Sequence, residues 1–248
     1  MCTVTYLPTE KGYILTHNRD EKPSRSSQSL TIEKDGNRSL IYPMDQQAYG
    51  SWIFIHSKGL SACLLNGAFK NHEKNPKYRI SRGKVLLSLA QSRHTDTWLN
   101  TYDFEQIEPF TMIICQDDDL IELVWDGNKK YVQNLGTDIP TIWSSSTLYN
   151  PEIKLQRKQI FYQWIDNIKE YDPAAWLFRF HEVGSIGDIN NNIMMYRENG
   201  PRTISTSQVI FSNSVYSFKH LDRLKDSTTV TRLKTKKIIS KKSELLHA

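Results

Sequence analysis

The chain has 248 residues, which is enough for one large domain with a substantial core but leaves little room for a second. Its 6 Trp and 12 Tyr argue against extended disorder, and its formal net charge of +5 comes from residues 221–248, so it does not predict a nucleic-acid-binding surface. No stretch approaches the ~20 apolar residues of a membrane-spanning helix, and the amino-terminal segment lacks the pattern of a signal peptide.

Strands are predicted towards both ends of the chain, from short apolar or alternating runs bounded by turn residues. In chain order they cover residues 2–7, 12–17, 51–56, 60–65, 110–115, 120–125, 131–133, 142–145, 203–211 and 215–219. A polar loop over residues 22–28 comes after the second strand, and we expect it to lie over the site.

Helices are predicted in the middle of the chain. Val85 to Ala90 mark one apolar face, residues 96–102 form a second short helix, and Phe161 to Ile168 keep the spacing of a buried helical stripe. Pro173 can open a further helix. Strands that bracket helices are typical of a layered α+β domain, predicted here over residues 1–220, with a basic tail over residues 221–248.

Cysteines and histidines carry no metal or disulfide pattern. Cys2, Cys63 and Cys115 are few, odd in number and widely spaced, which favours a reducing compartment such as the cytoplasm. Cys63 and Cys115 lie in apolar runs, where a small buried side chain is the expected role. The histidines show no ligand spacing, and no glycine-rich phosphate loop follows a strand, so no metal or cofactor is expected.

The first predicted strand begins with Cys2. Removal of Met1, which a small second residue allows, would give Cys2 both a thiol and a free α-amino group. The amine titrates near ~8 and the thiol near ~8.5, so the amine can accept the thiol proton at neutral pH. Arg19 and Asp20 lie on the second strand. Antiparallel pairing would let Arg19 stabilise the thiolate and Asp20 orient the amine.

Taken separately, these residues have ordinary explanations, since a cysteine after Met1 is usually accidental and Arg19-Asp20 is most often a solvated turn pair. Together, Met1–Thr3 and Asn18–Glu21 resemble the start of the NRDE family, whose eukaryotic members are the transport-and-Golgi-organisation proteins. That family is related to N-terminal-nucleophile (Ntn) hydrolases. The resemblance implies a four-layer αββα sandwich, with two antiparallel sheets between helical layers and the amino-terminal strand in the centre.

The resemblance also implies donors for the oxyanion of a tetrahedral intermediate. Gly50–Trp52 is similar to a family Gly-Thr-Trp motif, and the run that ends at Asn66 is similar to a family strand that ends in Asn. Asn66 is therefore the implied donor, although Asn66-Gly67 by itself is typical of a turn. Where the family has a second Asn, this chain has Ser145, whose hydroxyl can donate one bond.

A further family position near the last strands is an arginine. In this chain it corresponds either to Arg202, slightly displaced, or to Ser205. The resemblance implies an amidohydrolase without cofactors that cleaves a linear C–N bond of a small-molecule amide through a thioester on Cys2. The alternative is a non-catalytic binding or trafficking protein for a hydrophobic metabolite such as haem, with Cys2 as an axial ligand or an unused remnant.

Overall fold

The computed structural model describes residues 2–73, 75, 77–168 and 172–236, which form two antiparallel sheets and four helices. The first sheet has the order β10 (Thr141–Ser144), β1 (Cys2–Thr9), β2 (Gly12–Glu21), β11 (Arg202–Ser212), β12 (Val215–Asp222) and β13 (Ser227–Lys234). The second has the order β3 (Ser27–Asp35), β4 (Arg38–Asp45), β5 (Ile53–His56), β6 (Leu60–Asn66), β7 (Phe110–Gln116), β8 (Asp119–Trp125) and β9 (Lys130–Leu135). The helices are α1 (Arg82–Gln91), α2 (Thr95–Thr101), α3 (Pro151–Asp166) and α4 (Pro173–Val183).

Three apolar clusters define the layers. One lies between the sheets and contains Val4 and Ile53, a second joins the outer face of the second sheet to α1 and α2, and a third joins the first sheet to α3 and α4 through Phe161 and Phe180. The order is therefore helices, sheet, sheet, helices. The predicted αββα sandwich is confirmed, and β1 lies inside the first sheet as expected.

The side chains of β1 alternate between the two faces of its sheet, and both faces are buried. Val4 and Tyr6 enter the core between the sheets, whereas Thr3 and Thr5 face the helices and are equally buried. The polar side chains on the helix side are hydrogen-bonded, as burial requires; Thr5 Oγ1 lies 2.7 Å from His181 Nε2. The predicted strand is confirmed. On its helix-facing side, the polar side chains bond to polar groups of the protein and do not face solvent.

The predicted start of α4 at Pro173 is confirmed, and α3 begins in the same way. Asn150 and Asp172 precede a proline at the first helical position, and their side chains accept hydrogen bonds from backbone N–H groups of the first turn. Among the described residues, no helix is long and apolar enough to span a membrane.

Two parts of the sheets differ from the sequence prediction. The β3–β4 hairpin was not predicted, and Ser27, placed in the polar loop, begins β3. Residues assigned to the basic tail complete β12 and form β13, which pairs along its whole length with β12. β13 is an edge strand with mostly polar, exposed positions, so its apolar alternation is weak. Residues 237–248 of the predicted tail lie outside the described residues.

A close backbone approach holds the start of α1 against the segment before β5. A Cβ added to Gly50 would lie 2.7 Å from the carbonyl carbon of Gly83, and Ser51 N donates to Gly83 O at 3.3 Å. Because backbone atoms cannot move aside as a side chain can, glycine is required at this contact. The contact places Ser81 and Arg82 beside Trp52.

We expect Gly50→Ala to lower the free energy of unfolding by about 1–3 kcal/mol, because the new methyl group must push two backbones apart. Urea unfolding followed by tryptophan fluorescence measures it. Gly136→Ala is the matched control, since the atoms nearest its Cβ belong to the side chains of Asp138 and Ile139. Equal stability of the two variants would contradict the close-packing argument.

Three histidines are buried between the layers. His17 Nε2 hydrogen-bonds Leu64 O at 3.1 Å, and His220 Nδ1 lies 2.9 Å from Ser207 Oγ. Burial lowers the pKa of His17 and of His220 from 6.5 to about 4, and it also lowers the pKa of His181 well below its ordinary value. The folded protein therefore holds these rings neutral.

This burial predicts acid sensitivity. Between an unfolded pKa of 6.5 and a folded pKa of about 4, the unfolded chain binds more protons, so the free energy of unfolding falls as the pH is lowered through that window. Urea unfolding at several pH values between 7 and 4 measures the slope. His220→Gln is expected to flatten it and the exposed His94→Gln to leave it unchanged; an unchanged slope in both would contradict the prediction.

Candidate functional site

The pairing of β1 with β2 places Cys2 directly opposite Arg19. Direct partners in an antiparallel pair share one face of the sheet, so the thiol and the guanidinium face the same space. That space is a cavity of about 150 Å³ at the end of the inter-sheet core, and Asn66 and Trp52 also line it. Its charged lining consists of three arginines and three carboxylates: Arg19, Arg25, Arg82, Glu21, Asp45 and Glu108.

Arg19 is held as a fixed cation beside Cys2. Its Nη2 donates to Asp45 Oδ2, its Nη1 donates to Arg25 O at 2.7 Å, and its guanidinium carbon lies 4.1 Å from the centre of the Trp52 ring. Burial lowers the pKa of Arg19, and the Asp45 charge opposes that shift. Arg25 Nη2 also donates to Asp45 Oδ2, at 2.6 Å, so one carboxylate serves two arginines.

Sequence reasoning missed Asp45 because residues 29–50 were assigned to no element. It ends β4, and its other oxygen, Oδ1, accepts the N–H groups of Gln47 and Ala48. This Asx-type turn is a signal that the sequence could have supplied. The ion pair with Arg19 could not be read from the sequence.

The Cys2 thiol is 3% exposed, and burial raises its pKa. Asp20 shifts the pKa in the same direction, and Arg19 opposes both. The neutral thiol is therefore the resting form, and a reaction that uses the thiolate needs a base close to Cys2.

Asp20 does not line the cavity. It follows Arg19 in β2, so its side chain points to the opposite, helix-facing side of the sheet, one register position beyond Cys2. Its Oδ1 accepts from Thr203 Oγ1 at 2.6 Å and its Oδ2 from Tyr149 Oη at 3.2 Å. Burial raises the pKa of Asp20, although the Thr203 bond and the Arg157 charge act against the shift.

Arg157 is a second fixed cation, on the helix-facing side. It is fully buried, donates to Thr3 Oγ1, and its guanidinium carbon lies 4.0 Å from the centre of the Tyr149 ring. Since Tyr149 donates to Asp20, Arg157 supports that carboxylate both through packing and through its charge. A sequence signal existed, because Arg157 lies one turn before Phe161 on the buried stripe of α3.

Asn66 and Ser145 are brought together with the backbone of Cys2. Ser145 N donates to Cys2 O at 3.0 Å, and Ser145 Oγ donates to Asn66 O at 2.6 Å. Asn66 lines the Cys2 cavity, whereas Ser145 lines a separate, larger cleft. The hydroxyl hydrogen of Ser145 is thus committed to a carbonyl, which gives Ser145 a positioning contact in this arrangement.

The structure also places Arg202 and Ser205 opposite different residues of β2. Ser205 pairs with Arg19 and shares its face, whereas Arg202 pairs with Glu21 and its guanidinium carbon lies 5.8 Å from the centre of the Tyr196 ring. A register irregularity lies between Thr203 and Ser205. In the described part of the chain, no group of three or more His, Cys, Asp or Glu side chains could hold a metal ion.

We expect Asp20→Asn to be at least as stable as the wild type at pH 7. Burial raises the folded pKa of Asp20 above its ordinary 3.8, so the folded state holds that proton to higher pH and the wild type loses stability as the pH rises through this window. The amide oxygen can still accept one of the two hydroxyl bonds, and the amide NH2 group can donate to the other hydroxyl oxygen, without the buried charge. Urea unfolding at pH 4 and 7 measures the difference.

Thr203→Val is the control, because it removes a donor from Asp20 and is expected to cost about 1–3 kcal/mol. An Asp20→Asn protein markedly less stable than the wild type at pH 7 would show that the ionised carboxylate stabilises the fold.

Solved structures of low identity share this architecture. A cysteine-to-alanine mutant of conjugated bile acid hydrolase from Clostridium perfringens is 12% identical with a TM-score of 0.54, covering 96% of this chain and 98% of that one. The N-acylethanolamine-hydrolyzing acid amidase ortholog from Caenorhabditis elegans is 11% identical with a TM-score of 0.58, covering 93% and 100%. Such identities establish a common fold and nothing further.

A comparison with curated proteins finds no match. The family model described as Transport and Golgi organisation 2 matches residues 1–180, well over half of the chain. The motifs at the amino terminus and around Trp52 to Asn66 fall within the matched part, and the resemblance inferred from them is confirmed. The chain belongs to the Transport and Golgi organisation 2 family.

Proposed function

We propose that this protein is an amidohydrolase that cleaves a linear C–N bond of a small-molecule amide, with Cys2 as the nucleophile. The observation that carries the proposal is the direct pairing of Cys2 with Arg19 at one cavity that Asn66 also lines. A nucleophile, a fixed cation and an amide donor around one small space are the parts that acyl transfer needs. By their names, the two proteins of the same fold are a conjugated bile acid hydrolase and an N-acylethanolamine-hydrolyzing acid amidase, which supports a hydrolase.

The chemistry requires the α-amino group of Cys2, and therefore the removal of Met1. The amine takes the thiol proton, and the thiolate sulfur forms a bond to the substrate carbonyl carbon. The tetrahedral intermediate collapses with cleavage of the C–N bond, and the ammonium returns its proton to the leaving amine. Water then attacks the thioester with the amine as base, which releases the carboxylic acid and restores the thiol.

Each residue near Cys2 has a role in this reaction. Arg19 stabilises the thiolate, whose formation burial would otherwise oppose. The Asn66 side-chain amide donates to the oxyanion, a contact worth about 3 kcal/mol of barrier in related chemistry. Asp20, beyond Cys2 in the register, orients the ammonium from the helix side, and Ser145 holds the Cys2 backbone and Asn66 in place. No cofactor takes part in these steps.

The cavity favours a small, polar leaving amine, because its volume is about 150 Å³ and six of its lining side chains are charged. The three cysteines are free and buried, which accords with a reducing compartment, and we place the protein in the cytoplasm.

The test combines maturation with turnover. We expect the intact mass to lack Met1 and a nitrile reagent specific for amino-terminal 1,2-aminothiols to label one site. On a panel of N-acyl amides of small polar amines, Cys2→Ala should lower turnover at least about 10³-fold. Cys63→Ala is the matched control, since Cys63 is buried in the inter-sheet core away from the cavity lining, and it should keep turnover.

Retention of turnover in Cys2→Ala would exclude this mechanism. A retained Met1 without labelling would leave Cys2 without its base and would favour the non-catalytic alternative, which is motivated by Ser145 in place of the family's second Asn and by the displaced or substituted family arginine. That alternative predicts a change in absorbance when haem is added, lost in Cys2→Ala if the thiol is the axial ligand.

A further inference from the structure

A second and larger cleft lies beside the Cys2 cavity. It has a volume of about 450 Å³ and runs between the inner face of β6 to β8 and the segment formed by β10 and the start of α3. Ligand sites typically measure about 300–1,000 Å³, so this cleft is large enough for a sizeable ligand and the 150 Å³ cavity at Cys2 is not.

The walls of the cleft are mainly apolar. Leu65, Val124 and Trp143 form its interior, and Phe69 and Leu155 line it with side chains from residues that are 60% and 56% exposed. Apolar side chains left exposed around an opening are typical of a site for an apolar ligand.

Two lysines face the same cleft from α3. Lys154 and Lys158 are one helical turn apart, so they lie on one side of the helix. Neither ammonium has an acidic partner among the described residues; Lys158 Nζ lies only near the Tyr162 ring, 5.8 Å from its centre. Lys154 is half-buried, and burial lowers its pKa, whereas Lys158 is exposed. A desolvated ammonium without a counter-charge, such as that of Lys154, is unfavourable until an anion approaches it.

One carboxylate, Glu122, belongs to the described lining, on the sheet side of the cleft. Burial raises the pKa of Glu122, which weakens its negative charge, although a hydrogen bond with the Trp143 side chain acts the other way. Two cations against one carboxylate leave the cleft positive overall. The positive charge and the apolar walls of the cleft together indicate a ligand with an anionic part and an apolar part.

We propose that this cleft binds an apolar molecule that carries an anionic head group, with Lys154 and Lys158 as the anion contacts. The apolar part lies against Val124, Trp143 and Leu155. This binding does not depend on the chemistry of Cys2.

The position of the cleft suggests its relation to the reaction. The bond from Ser145 Oγ to Asn66 O, 2.6 Å long, stands between the two spaces, with Asn66 on the cavity side and Ser145 on the cleft side. A substrate whose carbonyl reaches Cys2 would place its amine in the cavity and its acyl part in the cleft. This link, unlike the binding itself, rests on the proposed function.

Calorimetric titration of the full chain tests the binding with three probes: decanoate, decyl phosphate and decan-1-ol. We expect an anionic probe to bind more tightly than the alcohol. Lys154→Met with Lys158→Met should weaken the anionic probe about tenfold and leave decan-1-ol within about twofold. Leu155→Glu, which adds a negative charge at an exposed position of the lining, should weaken the anionic probes without disturbing the core. Lys11→Met, in an exposed turn, is the matched control.

Equal affinity of the alcohol and both anions for the wild type, or unchanged affinity in the double lysine variant, would overturn the proposal. Preference for decyl phosphate over decanoate would support it with a phosphate head group. Repeating the titration on Cys2→Ala separates the two proposals. If Cys2→Ala binds the probes and the wild type turns over no amide, the binding proposal stands and the hydrolase proposal fails. If Cys2→Ala binds no probe and the wild type turns over an amide, only the binding proposal fails.

Discussion

The site depends on the register between β1 and β2. Opposition of Cys2 and Arg19 brings the thiol and the guanidinium to one face of the sheet, and the alternation of the next residue sends Asp20 to the other face. A slip of one residue would exchange these faces and remove the cation from the cavity. The eight paired positions from Cys2 to Thr9 hold this register, and residues 2–7 among them are buried on both faces of the sheet.

Both faces of that strand pair must then support buried charge. On the inter-sheet side, Asp45 neutralises Arg19 and Arg25; on the helix side, Arg157 reaches Asp20 through Tyr149. Removing one partner of a buried ion pair such as that of Arg19 and Asp45 typically costs about 3–5 kcal/mol, so this pair constrains geometry strongly even where its net contribution to stability is small. The thiol and its candidate orienting carboxylate therefore sit in different, separately supported environments.

Most of the architecture could be predicted from local patterns. The first hairpin, the strands of the second sheet from β5 to β8, and the apolar stripes of α1 and α3 follow from periodicity. The β3–β4 hairpin was missed although its two-residue Gly36-Asn37 turn, with Gly36 at a φ of 52°, is a hairpin signal. β13 was missed because an exposed edge strand needs few apolar residues, and its arginine and lysine resemble a solvated tail.

By itself, the sequence determined the strands and helices of a layered α+β domain, because short-range patterns encode strands and their turns. The sandwich, and Cys2, Arg19 and Asn66 as parts of one site, came from the family resemblance of its motifs. Only the tertiary structure decided the rest. It assigned Asp45 to Arg19, Arg157 to the support of Asp20, Ser205 to the position opposite Arg19, and the Ser145 hydroxyl to Asn66 O. These contacts join residues far apart in the chain, and strand register, a bulge and layer packing set the direction of each side chain.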